Sequence, residues 1–215
     1  NFMFVGGAIC GIYIGRDPSG DGVEMEKRVE IPARYGREIG RMLLALTMTE
    51  EEIKKDLIAD SKVFHIGSLS LTSEPVKSAT FYALELAKEY GCIISYDPNY
   101  RAPLWDSREK AVEGMRSVLS YVDVMKLSDE ETELLTGISE PEMAAKKLLE
   151  NGIAIVAVTL GADGALICTK EGCEHVKGYQ VQMVDTTGAG DSFWGGFLDQ
   201  LLESGKEPSE VSLKE

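Results

Sequence analysis

The chain has 215 residues, 44% apolar and 27% charged, which supports one well-buried core and excludes a disordered or collagen-like polymer. Its 22 basic against 36 acidic side chains leave a formal charge of −14, a field that repels nucleic acid and anionic membranes, so neither is an expected partner. No run of about 18 apolar residues marks a membrane span, and no signal peptide is read at the start.

In chain order, "FMFVGGAICGIYIG" reads as a strand, a Gly-Gly turn and a second strand, and the polar, glycine-rich stretch to residue 48 has no clear period. Thr49 and Glu52 stand at capping-box spacing, so a helix is expected from residue 49. "KVFHIG" (62–67) predicts a strand, and residues 73–91 predict a helix with Pro75 in its first turn and Gly91 as its stop. "CIISYD" (92–97) is a strand ending in an acid. A helix around 107–120, a strand over 122–127, helices over 129–136 and 140–151 and a strand over 153–160 follow. Such alternation calls for a mostly parallel sheet covered on both faces, with ligands outside the carboxyl ends of its strands. Residues 164–184 offer two or three strands joined by turns, an antiparallel edge before the last helix.

The four cysteines, Cys10, Cys92, Cys168 and Cys173, show no CxxC spacing. Reduced structural thiols are expected, and with them a cytoplasmic location. His65 and His175 read as a strand and a hairpin residue, and Trp105 and Trp194 as packing residues.

The stretch "VDTTGAGDSFWGGFL" (184–198) places four glycines and Asp191 at the entry to an otherwise apolar helix over 188–203. Thr186 and Thr187 can cap free amides, while Gly188 and Gly190 remove side chains that would block a ligand. Amides at the positive end of a helix dipole bind phosphate or a developing oxyanion without a basic side chain. A carboxylate beside such a site points to proton or metal handling. The alternative is an acid pairing with the helix dipole, worth about 0.3–1 kcal/mol. Three strand ends carry further polar residues: "DPNYR" (97–101), "KLSDEE" (126–131) and "TLGADG" (159–164). Each has a plainer reading, as turn chemistry at Asp97, a surface charge at Arg101, a capping box at Ser128 and Glu131, and an ordinary turn at "GADG".

Residues 185–198, "DTTGAGDSFWGGFL", resemble the C-terminal signature of the ribokinase-like (PfkB) carbohydrate kinases. "VTLGADGALI", "MKLSDEETELLTG" and "SYDPNYRAPLWDS" are similar to the bacterial fructokinase branch, and the ordered set spans about residues 48–203. The resemblance implies a three-layer α/β/α fold with a mostly parallel, doubly wound sheet. Residues 1–48 would form an N-terminal strand and a short or incomplete lid-like segment, and 49–215 the α/β kinase core. It implies ATP-dependent phosphorylation of a sugar hydroxyl, with fructose favoured over ribose or 2-keto-3-deoxygluconate, and Mg²⁺ as cofactor. A monovalent cation and a homodimer are compatible with it.

By the same resemblance Asp191 would be the general base, and Gly188, Ala189 and Gly190 the anion hole. Arg101, Asp97, Asn99, Gly6 and Gly7 would face the sugar. Ser128, Thr159, Gly161 and Gly164 would border the nucleotide, and Glu131 would organise Mg²⁺ through water. Two departures stand out. Ser128 replaces the usual asparagine, and "VGGAICGIYIG" lacks the sugar-binding asparagine expected after the glycine pair. A catalytically weak sugar- or nucleotide-binding protein is the alternative from another class.

Overall fold

In the computed structural model, which describes residues 2–5, 47–179 and 188–213, the apolar runs pair into a seven-stranded sheet. The strands lie side by side in chain order: β1 (Phe2–Val5), β2 (Val63–Gly67), β3 (Ile93–Asp97), β4 (Val124–Ser128), β5 (Ile155–Thr159), β6 (Ala165–Thr169) and β7 (Gly172–Val176). β1 to β5 run parallel, and β6 and β7 return antiparallel, as the change of pattern after residue 164 predicts.

The helices are α1 (Lys55–Ala59), α2 (Val76–Glu89), α3 (Arg108–Arg116), α4 (Asp129–Thr136), α5 (Pro141–Leu149) and α6 (Ala189–Glu203). Neighbouring parallel strands joined by right-handed crossovers put every connecting helix on one side of the sheet. Accordingly Ile58 of α1, Ala83 and Leu84 of α2, Met115 of α3, Leu135 of α4 and Leu148 of α5 share one core with Phe64, Ile94, Met125 and Val156.

The opposite face belongs to α6. Its Trp194, Leu198 and Leu201, spaced as one helical stripe, pack on Val63, Val124, Ile155 and Ala157. Alternation along each strand separates the two cores residue by residue: Val63 from Phe64, Val124 from Met125, Ile155 from Val156. Under α6 the buried Trp194 donates its indole N–H to Ser95 Oγ (2.8 Å), and Ser95 Oγ lies 2.9 Å from His65 Nδ1. Burial drives the His65 pKa down to about 3, so the ring is neutral and shares one hydrogen bond with Ser95 Oγ through Nδ1.

Several boundaries differ from expectation. The capping box at Thr49 and Glu52 forms, but it closes a single 3₁₀ turn (Glu50–Glu52); Ile53 is extended, and α1 starts only at Lys55. The helix expected over 107–120 ends at Arg116 and is followed by a 3₁₀ turn, Leu119–Tyr121. Ile53 and Leu119, the apolar residues at these two boundaries, are both buried in the core.

The cysteine expectation is corrected. Cys168 and Cys173 are disulfide-bonded. They are direct cross-strand partners in the β6–β7 hairpin, with Cα atoms 4.1 Å apart, and such a pair brings its side chains together whatever the linear spacing. The thiol argument for a cytoplasmic location goes with it. Cys92 is a buried free thiol facing the carbonyls of Ile58 and Ser61, and Cys10 lies outside the described residues. Among the described residues no helix is long and apolar enough to cross a membrane.

Trp194→Ala should cost about 3–5 kcal/mol, because it removes the largest side chain of the α6 core and leaves Ser95 without its donor. Urea unfolding followed by circular dichroism measures it, and a loss below about 1 kcal/mol would mean that α6 is not anchored by this residue.

Candidate active site

Alternation also sets which polar residues meet. On β2 to β5 the α6-facing positions are 63, 65 and 67; 93, 95 and 97; 124, 126 and 128; and 155, 157 and 159. Toward the amino ends these are Val63, Ile93, Val124 and Ile155. Toward the carboxyl ends they become Asp97, Lys126, Ser128 and Thr159, so the apolar floor beneath α6 gives way to a polar one.

Above that floor α6 begins. Gly188 is its N-cap at φ 76°, a left-handed backbone that glycine adopts without strain. The first helical bond runs from the Ser192 amide to the Gly188 carbonyl (2.9 Å). The amides of Ala189, Gly190 and Asp191 therefore lack acceptors within the helix, the arrangement that receives an anion. Asp191 is exposed on this first turn. Thr186 and Thr187 lie outside the described residues, as do Gly6 and Gly7.

Beneath the helix start is a buried ion pair that the sequence reading missed. Lys126 Nζ donates to Asp97 Oδ2 at 2.8 Å, with side chains 10% and 5% exposed. A Cβ on Gly190 would fall 2.9 Å from Lys126 Nζ, so the absent side chain is what lets the ammonium sit under the turn. The other Asp97 oxygen, Oδ1, is buried with no hydrogen-bond partner among the described residues. Burial pushes the Asp97 pKa up to about 6; Lys126 opposes the rise, and the negative charges of Glu131 and Asp191 add to it. Here desolvation outweighs the ion pair.

Glu131 is also buried, and both its oxygens are held by backbone. Oε2 accepts from the Ser128 amide (2.9 Å) and Oε1 from the Tyr100 amide (2.7 Å). Ser128 Oγ in return accepts from the Glu131 amide, so the capping box is real and starts α4. The same carboxylate ties the 97–101 loop to α4. In that loop Asn99 has φ 47°, a left-handed conformation open to asparagine. Arg101 is exposed, its guanidinium donating to the Tyr100 carbonyl (3.1 Å), and the structure does not bring it to the ion pair.

Thr159 stands opposite Ser128 in the register and donates to the Leu127 carbonyl (3.2 Å). The next residues turn through a 3₁₀ segment, Gly161–Asp163, into Gly164 at φ 101°. A Cβ on Gly164 would lie 2.0 Å from the Val176 carbonyl oxygen, so no other residue fits there without moving β7. The strand ends thus bring together Asp97, Lys126, Glu131, Gly190 and Asp191, with Ser128 and Thr159 in the adjacent register. The glycine turn borders them, and Arg101 stays apart. A lysine two residues from the end of an apolar strand, "VDVMKL", is the signal that could have found Lys126.

Among the described residues no three His, Cys, Asp or Glu side chains form a ready metal cage. Glu131 nonetheless fits a water-mediated role: a carboxylate has about four lone-pair positions, and the two backbone amides occupy only part of that capacity.

A family model described as pfkB family carbohydrate kinase matches residues 40–214. Among curated proteins, probable fructokinase-5 of Arabidopsis thaliana is 44% identical over 161 residues, covering 74% of this chain and 50% of that protein. Fructokinase-2 of Solanum lycopersicum is 43% identical over 159 residues, covering 74% and 48%. Among solved structures, the fructokinase of Vibrio cholerae O395 with fructose, ADP and calcium superposes at a TM-score of 0.67 with 34% identity, covering 73% of this chain and 50% of that one. Aminoimidazole riboside kinase of Salmonella enterica gives 0.64 with 29% identity, covering 72% and 51%. The chain spans about half the length of the curated relatives it matches.

Because the folded protein holds a proton on Asp97 more tightly than an unfolded chain titrating near 3.8, this group's contribution to stability is fully present below about pH 4 and is lost as pH rises through about 6. Asp97→Asn cannot titrate. Between pH 4 and 7 the wild type should therefore weaken relative to the variant by about 3 kcal/mol, read from urea unfolding at each pH. A difference that stays constant with pH would show that Asp97 is not shifted.

Proposed function

The chain belongs to the pfkB family of carbohydrate kinases, and from that premise we propose that it transfers the terminal phosphoryl group of ATP to a sugar hydroxyl, with fructose the first candidate. The observation that carries the reading is Asp191: an exposed carboxylate on the same helical turn as three amides without intrahelical acceptors. A binding module has no use for a base beside an anion site, whereas phosphoryl transfer needs both.

In this reading the amides of the first α6 turn, with Gly188, Ala189 and Gly190 as the hole, bind the transferring group. Asp191 accepts the proton of the attacking hydroxyl as the oxygen–phosphorus bond forms. Asp97 and Asn99 orient the sugar, with Arg101 reaching it from the exposed loop. Ser128, Thr159, Gly161 and Gly164 border the nucleotide phosphates, the two glycines standing at positive φ in the turn that follows β5. Glu131 would hold Mg²⁺ through water, and the cation would supply positive charge that offsets the carboxylate surplus at these strand ends. Fructose is favoured because the curated relatives matched are fructokinases, and a solved relative carries fructose and ADP.

Phosphorylation of a panel containing fructose, ribose, aminoimidazole riboside and 2-keto-3-deoxygluconate, with MgATP as donor, tests the activity and the acceptor together. Fructose should show the highest kcat/KM, and no transfer to any acceptor would overturn the proposal. Asp191→Asn should lower kcat by about 10²–10⁴-fold, the worth of general base catalysis, while the Kd of an ATP analogue with Mg²⁺ stays near wild type. Retention of more than about a tenth of kcat would make Asp191 a helix-end charge instead.

A further inference from the structure

We propose that Lys126 belongs to the transfer site as the residue that supplies its positive charge: tethered by Asp97 beneath the first turn of α6, its ammonium strengthens the hold of the 188–190 backbone on a phosphoryl anion. The inference rests on the reading of that turn as the anion hole. Lys126 lies on a parallel strand buried on both faces, a place where an apolar residue would pack at lower cost, and it is 8% exposed. An ammonium has three donors, and Asp97 Oδ2 takes one of them. The remaining positive charge lies against Gly190, where a Cβ would come within 2.9 Å of Nζ and 3.4 Å of Cε.

A second observation points the same way. Asp97 is 4% exposed, yet its Oδ1 has no partner among the described residues. A pair that served only to neutralise itself would be expected to satisfy both carboxylate oxygens. Here a buried donor group and a buried acceptor both face a place where anion and hydroxyl would meet. Lys126 thereby brings positive charge to a turn beside which Asp97, Glu131 and Asp191 are all negative when ionised.

Lys126→Met alone leaves Asp97 buried without its partner and is expected to unfold readily. The informative comparison is therefore Asp97→Asn against the double variant Asp97→Asn with Lys126→Met, each confirmed folded by circular dichroism. The first removes the tether and keeps the ammonium; the second removes both charges and keeps the approximate shapes. Isothermal titration with inorganic phosphate, alongside kcat and KM for fructose, gives the readout. The double variant should bind phosphate about ten- to a hundredfold more weakly than Asp97→Asn, the worth of one charge-assisted contact, with a parallel fall in kcat. Equal phosphate affinities in the two variants, with a wild type that phosphorylates sugar, would overturn the role of Lys126 and leave the kinase reading standing. A wild type that neither binds phosphate nor transfers it would overturn both.

Discussion

Successive side chains of a strand point to opposite faces, and in β2 to β5 that constraint places every group discussed above. One set of positions closes the core under α1 to α5. The other set closes the core under α6 toward the amino ends and then, at the carboxyl ends, turns polar with Asp97, Lys126, Ser128 and Thr159. Parallel pairing brings these ends level, so residues more than sixty apart in sequence, Asp97 and Thr159, stand along one edge. The helix that covers the apolar registers begins where they stop, so its first turn, whose amides have no acceptor within the helix, lies against Lys126.

Electrostatics then limits what this edge can hold. Three carboxylates, Asp97, Glu131 and Asp191, gather near the Lys126 ammonium, and burial, followed by the charges of Glu131 and Asp191, lifts the Asp97 pKa to about 6 against the pull of that ammonium. The protein manages the load locally. Glu131 is held by two backbone amides, Asp97 by Lys126, and Asp191 is left at the exposed end of a helix whose dipole favours negative charge. Glycine at 190 is part of the same solution, since a Cβ there would crowd the ammonium.

Much of the fold was legible because it is written in short-range patterns. The strands over 62–67, 92–97 and 153–160 and the helix over 188–203 appear within a residue or two of their expected ends. The glycine-rich entry to α6 was legible as a helix start on a left-handed glycine for the same reason, since backbone geometry there depends on local residue types. What escaped was set by pairing across the sheet. Cys168 and Cys173 meet because the hairpin register opposes them, and Lys126 meets Asp97 because β3 and β4 lie in parallel register, neither of which linear spacing encodes. Arg101 shows the converse: its motif is local and plain, yet its side chain projects from a loop and its neighbours are not fixed by that motif.

Stability and the proposed chemistry share one helix. Asp191 precedes Trp194 by three residues, less than one turn, and Trp194 is pinned to the sheet through Ser95 and the neutral His65. Ser95 lies two residues before Asp97 on β3, so the bond that fixes the helix and the pair that charges its entry are adjacent rungs on the same strand face. A helix rotation that moved Asp191 by even half a turn would break the indole bond and expose the α6 stripe. The position of the carboxylate is thus set by the energy of the apolar core behind it, and the first-turn amides, without acceptors in the helix, keep their direction because that core does not slide.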